Sequence, residues 1–200
     1  MEHISMPFNL KIILAFSINS IATDDYCDVK TCKIKGPHTM CTYTSSEPSA
    51  TCEQVYKVGV TDEDINTILA VHNELRQKVA SGKENRENPG SWNKELANIA
   101  QRWANQCNYN HDACRDIGTY TYNYKLNVQF IYYFYLNVLQ INIKMQMETG
   151  HYTQIVWAET TDVGCGFITY KNNQWNTSYI VCNYSPAGNM RNGRIYEIAN

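Results

Sequence analysis

Eight cysteines constrain this chain more than any other feature: Cys27, Cys32, Cys41, Cys52, Cys107, Cys114, Cys165 and Cys182, all downstream of a short apolar leader. An even count in an exported chain favours disulfides over free thiols, and there is no Cys-x-x-Cys pair to form a zinc knuckle or a redox site. Four bridges are expected. Spacing by itself leaves about 105 pairings open.

The leader, residues 1–22, places Lys11 before Ile12-Ile13-Leu14-Ala15-Phe16 and ends Ser20-Ile21-Ala22, with small residues where a signal peptidase cuts. It reads as a cleaved secretory signal, so the protein is expected to be secreted and extracellular. The apolar run has about half the length a bilayer span needs, so no membrane span is expected. Two hundred residues suit one domain with a small appendage. The 17 basic and 19 acidic residues are mixed along the chain and leave a net charge of −2. No field of one sign gathers nucleic acid or an anionic membrane, and nucleic acid is not an expected partner.

Residues 23–58 show little periodicity, carry Gly36-Pro37 and Ser45-Ser46-Glu47-Pro48 as turn signals, and hold four of the cysteines. They read as a loop-rich, disulfide-held arm in front of a domain over 59–200. Thr61 and Asp64 form a variant capping box, after which Ile65, Ile68, Leu69, His72, Leu75 and Val79 recur at helical spacing until Ser81-Gly82 stops the run. His72 and Arg76 are assigned structural roles on this helix. A second helix is expected from Asn93 to Gln106, with Leu96, Ile99, Ala100, Trp103 and Cys107 on one face. A polar loop from Cys107 to Arg115 follows and carries His111.

From Ile117 to Thr149 the character changes. Tyr120, Tyr122, Tyr124, Leu126, Val128 and Phe130 alternate with polar residues, and alternation returns at Ile141, Ile143, Met145 and Met147. The pattern predicts two strands flanking the apolar run 131–136, a segment of high β-propensity and low charge. Its usage is heavy in Tyr, Asn, Ile, Phe, Leu and Lys, and suggests translated AT-rich non-coding sequence. The segment is therefore expected to be a mis-spliced insertion in a defective copy of the gene; the alternative is a diverged stretch of strands. Beyond it, His151 heads the run Gly150 to Trp157, Val163 to Tyr170 reads as a strand, 171–174 as a hairpin turn, and Tyr179 to Asn183 as the partner strand. Asn176-Thr177-Ser178 is a glycosylation acceptor pattern at the surface, whereas Asn183-Tyr184-Ser185 is expected to be buried.

The segments Gly150-His151-Tyr152-Thr153-Gln154-Ile155-Val156-Trp157 and Tyr179-Ile180-Val181-Cys182-Asn183-Tyr184-Ser185-Pro186-Ala187-Gly188-Asn189 resemble the two signature segments of the CAP superfamily. His72-Asn73-Glu74-Leu75-Arg76 resembles its first helix motif. Trp92 to Ala97 and Ala100 to Cys107 are similar to the insect venom antigen 5 group, and Tyr26-Cys27 with His38-Thr39-Met40-Cys41 resemble the arm of the ant venom allergens in particular. The resemblance implies an α+β fold, an α/β/α sandwich with a small mostly antiparallel sheet. It pairs Cys27 with Cys41, Cys32 with Cys114, Cys52 with Cys107, and Cys165 with Cys182. The helix and strand layer that the family builds from the stretch matching 117–149 is not expected here in its usual form.

In the family a cleft is lined by two histidines and two acidic residues. The matching histidines are His111 and His151, which could hold one divalent ion, zinc first, with water in the open positions. The acidic positions fall inside 117–149, where the motif glutamates are absent; Glu148, Asp112 and Asp116 are merely close in sequence. No Gly-x-Ser-x-Gly elbow or His-Glu-x-x-His helix supplies another catalytic centre. The expected function is that of a non-enzymatic venom allergen of the antigen 5 type with no required cofactor. It would act by surface recognition or by holding a sterol or fatty acid, with an unidentified protein target in the recipient animal and, as an allergen, with antibodies. The alternative is a metal-dependent hydrolase using the two-histidine cleft.

Overall fold

The computed structural model describes residues 26–80, 90–117, 128–135, 149–190, 193 and 195. The leader 1–22, the helix stop at Ser81-Gly82, and the alternating stretches 120–127 and 141–147 lie outside the described residues. In chain order the elements are α1 (Cys32–Lys35), α2 (Thr39–Thr42), β1 (Val55–Val58), α3 (Asp62–Ala80), β2 (Ser91–Trp92), α4 (Lys94–Ala104), β3 (Val128–Tyr135), α5 (Thr149–Ile155), β4 (Asp162–Asn172) and β5 (Trp175–Ser185), with single 3₁₀ turns at Tyr26–Asp28 and Ala50–Cys52.

The arm is thus more helical than its loop-rich sequence predicts. Two of its turns are set by local caps too short to leave a periodic signal: His38 Nδ1 accepts from the Met40 amide at 3.0 Å ahead of α2, and the Ser49 side chain accepts from the Thr51 amide ahead of the second 3₁₀ turn. In α3 the capping box closes in both directions. The Asp64 amide donates to Thr61 Oγ1 at 3.1 Å, and the Thr61 amide donates to Asp64 Oδ2 at 2.8 Å. Asn93 caps α4, its side-chain oxygen accepting from the amides of Glu95 and Leu96.

The sheet is built on the β4–β5 hairpin. Asn173 and Gln174 form its two-residue turn, with Asn173 at φ 55°, a left-handed conformation that Asn tolerates. The turn is tighter than the sequence pattern predicts, because Lys171 and Asn172 still pair with Asn176 and Trp175. Strand order is β1-β4-β5-β3, all antiparallel, with β2 joining β4 in parallel.

Parity along the hairpin separates two cores. Gly164, Gly166, Ile168 and Tyr170, opposite Asn183, Val181, Tyr179 and Thr177, face α4, where Ala100, Trp103 and Ala104 pack on Ile168, Tyr170, Tyr179 and Val181. Val163 and Cys165, opposite Tyr184 and Cys182, face α3 and α5, where Ile68 and Ile155 close the second core. The sheet therefore lies between helical layers.

The segment 117–149 contributes one described strand to the sheet. That strand, β3, starts in the last residues of the first alternating stretch and continues through the apolar run, in an eight-residue register from Val128 opposite Tyr184 to Tyr135 opposite Thr177. Its neighbour explains the apolar composition. β5 is buried at Thr177, Ser178, Tyr179 and 181–185, on both faces, and a strand beside such a neighbour is suited to a continuous apolar run.

Two outcomes follow from this packing. A β-carbon at position 166 would lie 2.3 Å from the backbone of Gln101 and 2.6 Å from that of Ala100. Gly166→Ala should push α4 off the sheet and lower stability by about 1–3 kcal/mol, measured by denaturant unfolding. If 117–149 belongs to the secreted protein, peptides spanning Tyr120 to Lys144 should be recovered from it; a secreted product without them would mark the segment as a mis-spliced insertion.

Candidate functional site

The loop that carries His111 is held at both ends. Four disulfides join Cys27 to Cys41, Cys32 to Cys114, Cys52 to Cys107, and Cys165 to Cys182, and the second and third bracket this loop. Between the brackets, Trp103 Nε1 donates to the Asn110 carbonyl at 2.8 Å and Tyr179 Oη donates to the Asn108 carbonyl at 2.8 Å. The loop is thereby fixed to α4 and β5, and the arm is fixed to the loop through the Thr39 amide, which donates to the Cys114 carbonyl at 2.8 Å.

His151 stands on α5 at the other side of the site. That helix is tied to the segment after β5: the Gly188 amide donates to Gln154 Oε1 at 2.7 Å, Asn189 Nδ2 donates to the Gly150 carbonyl at 2.7 Å, and Thr153 Oγ1 donates to Asn189 Oδ1 at 2.6 Å. Gln154 is fully buried, and its Nε2 donates to Thr160 Oγ1 at 2.8 Å. The two segments singled out in the sequence are thus one clamped unit.

The structure brings the two imidazoles near enough to act on each other. Desolvation pulls His111 below the usual histidine range; the positive charges of Arg115 and of His151 pull in the same direction, and Asp112 opposes them. Although His111 is exposed, its neutral form is favoured, which is the form that ligates.

The acidic residues near it are engaged elsewhere. Asp112, only 6% exposed, accepts hydrogen bonds from Thr39 Oγ1 and Arg115 Nε and pairs with the Arg115 guanidinium. Asp116 is buried and pairs with Lys35 Nζ at 2.7 Å. Glu148 lies outside the described residues. Among the described residues the one group of three potential metal ligands is Cys32, Cys114 and Asp116, and its two sulfurs are bonded to each other. Among the described residues a zinc ion between His111 and His151 would have two protein ligands and the Arg115 cation beside one of them. Catalytic zinc sites present three, so the described residues do not make such a centre.

His72 and Arg76 act as structural ties. His72 Nδ1 lies 2.7 Å from the Ile68 carbonyl and Nε2 lies 2.8 Å from Tyr184 Oη, so Nδ1 carries the proton and Nε2 accepts from the phenol. Arg76 Nη1 donates to the carbonyls of Ile155 at 3.0 Å and Trp157 at 2.9 Å. Sequence reading missed Gln154 as the clamp and Arg115 as the cation beside His111, since both roles depend on partners distant in the chain.

Comparison with known proteins fits this geometry. Residues 69–184 match the family model of CAP, the cysteine-rich secretory protein family. The chain belongs to the CAP family. A venom allergen 3 homolog from Dinoponera quadriceps is 42% identical, the alignment covering 96% of this chain and 97% of the relative. Venom allergen 3 of Solenopsis invicta is 40% identical over 90% of this chain and 92% of its own length. The alignment to the first relative extends over 226 residues against 200 in this chain, so that relative carries sequence this CAP chain lacks. The solved structure of BmVAL-1 shares the fold, with a TM-score of 0.52 at 23% identity over 70% of this chain and 84% of that one. Among the described residues no helix is long and apolar enough to cross a membrane.

The His72 tie gives this CAP domain a pH dependence of definite sign. Burial pushes His72 from 6.5 down to about 4. The unfolded chain therefore takes up a proton before the folded one, and stability that is full above pH 6.5 falls by about 1.4 kcal/mol per pH unit down to the folded value. Denaturant unfolding at neutral and at mildly acidic pH should show this slope in the native chain and a shallower one in His72→Gln.

Proposed function

We propose that this chain is a secreted, non-enzymatic venom allergen-like CAP protein, acting by surface recognition or by holding a small apolar ligand such as a sterol or fatty acid. The observation that carries the reading is the condition of Asp112. Among the described residues it is the carboxylate beside His111 in sequence, and it is buried and already bonded to Thr39 and Arg115. A general base must reach the proton it removes, and a carboxylate held by a guanidinium and a hydroxyl is already occupied.

Export of the chain and cleavage after Ala22 belong to the same reading, supported by the leader composition and by four disulfides, which persist in oxidising compartments. His111 and His151 can take up a divalent ion as a two-ligand surface site without making it a catalyst. The relatives named venom allergen 3 support delivery to a recipient animal, where the partners would be a protein target and antibodies.

The purified disulfide-bonded protein, offered casein and short peptides with and without added zinc, should show no chelator-sensitive turnover. Its binding to sterol- or fatty-acid-containing vesicles should saturate and remain unchanged in His151→Ala. Turnover lost on chelation and in His151→Ala would replace this reading with the hydrolase one.

A further inference from the structure

The chain contains two acceptor patterns for N-linked sugar in which the fold treats the asparagine in opposite ways. Asn176-Thr177-Ser178 begins β5 directly after the hairpin turn. Asn176 is exposed, and among the described residues its carboxamide has no hydrogen-bond partner. Asn183-Tyr184-Ser185 ends the same strand; Asn183 is fully buried, and its Nδ2 donates to the Leu96 carbonyl at 3.3 Å under α4. A sugar on Asn183 would have to displace the helix from the sheet.

The surroundings of Asn176 add to this difference. Its backbone pairs with Lys171 of β4. The preceding Trp175 is 53% exposed, so the hairpin end projects from the domain with room for a bulky hydrated substituent.

We propose that Asn176, at the exposed end of the β4–β5 hairpin, carries an N-linked oligosaccharide, and that Asn183 stays unmodified. The inference rests on the export proposed above, because the donor is a lipid-pyrophosphate-linked oligosaccharide of the secretory pathway. Asn176 Nδ2 bonds to C1 of the donor sugar as the C1–O bond to pyrophosphate breaks. The lipid pyrophosphate leaves with the electron pair, and the amide gives up one proton to a base of the transferring enzyme. Ser178, whose hydroxyl completes the acceptor pattern, is buried beside Thr169, with Oγ to Oγ1 at 3.4 Å. Transfer therefore precedes docking of β5, and of the two acceptors only a sugar on Asn176 is compatible with the strand then folding under α4.

Translation of the full chain in the presence of microsomes tests this. Protease-protected chain should gain the mass of one oligosaccharide, removable by peptide N-glycosidase. The gain should vanish in Asn176→Gln and persist in Ser185→Ala, a variant that destroys only the second pattern and removes a buried hydroxyl with no partner among the described residues. Protected chain without sugar, or sugar that survives Asn176→Gln, overturns the proposal and leaves the export reading intact. Chain open to protease sinks the export reading instead. The same chain behind a foreign leader then reads the sugar alone: its presence at Asn176 upholds this inference and its absence ends it.

Discussion

The fold depends on how closely α4 lies against the β4–β5 hairpin. Gly164 and Gly166 leave room for the helix backbone itself, with a β-carbon at Gly164 only 2.3 Å from the Ala97 amide nitrogen. The contact is also polar. Gln101 Nε2 donates to the Phe167 carbonyl at 2.9 Å while the Phe167 amide donates to Gln101 Oε1 at 2.8 Å, so a side-chain amide satisfies strand groups between β2 and β1. Burial of Leu96, Ile99, Ala100 and Trp103 follows from that approach. So does the site, because Trp103 and the end of α4 position the loop that carries His111.

The charged pairs near His111 tie the arm to the domain. Asp112 ties the arm at Thr39 to the loop at Arg115, and Asp116 ties the loop to Lys35 on α1. Each pair neutralises a buried carboxylate that would otherwise be costly to desolvate. Together with the Cys32–Cys114 bridge they make one interface between arm and domain.

Local signals in the sequence were legible where the interaction is local. The Thr61–Asp64 box, the Asn93 cap and the two-sided burial of the strand ending at Asn183 can each be read within a few residues, and the CAP resemblance supplied the α/β/α arrangement. What escaped was set by distant partners. The use of Asp112 depends on Thr39, 73 positions away, and the clamp at Gln154 depends on Gly188, 34 positions away. In 117–149 the described strand takes in the end of the first alternating stretch at Val128 and Phe130 and runs on through the apolar residues to Tyr135, because the place beside β5 is lined on both faces and suits a continuous apolar run.

The eight rungs between β3 and β5 are main-chain pairings, and peptide groups are indifferent to the side chains they carry. A slot of that kind accepts any extended segment of suitable length and apolarity, whatever its ancestry. The opposite flank of the hairpin is fixed by two glycines and a glutamine and tolerates no such exchange. A lineage can therefore rewrite this margin of the sheet wholesale while the α4 half of the domain holds its shape.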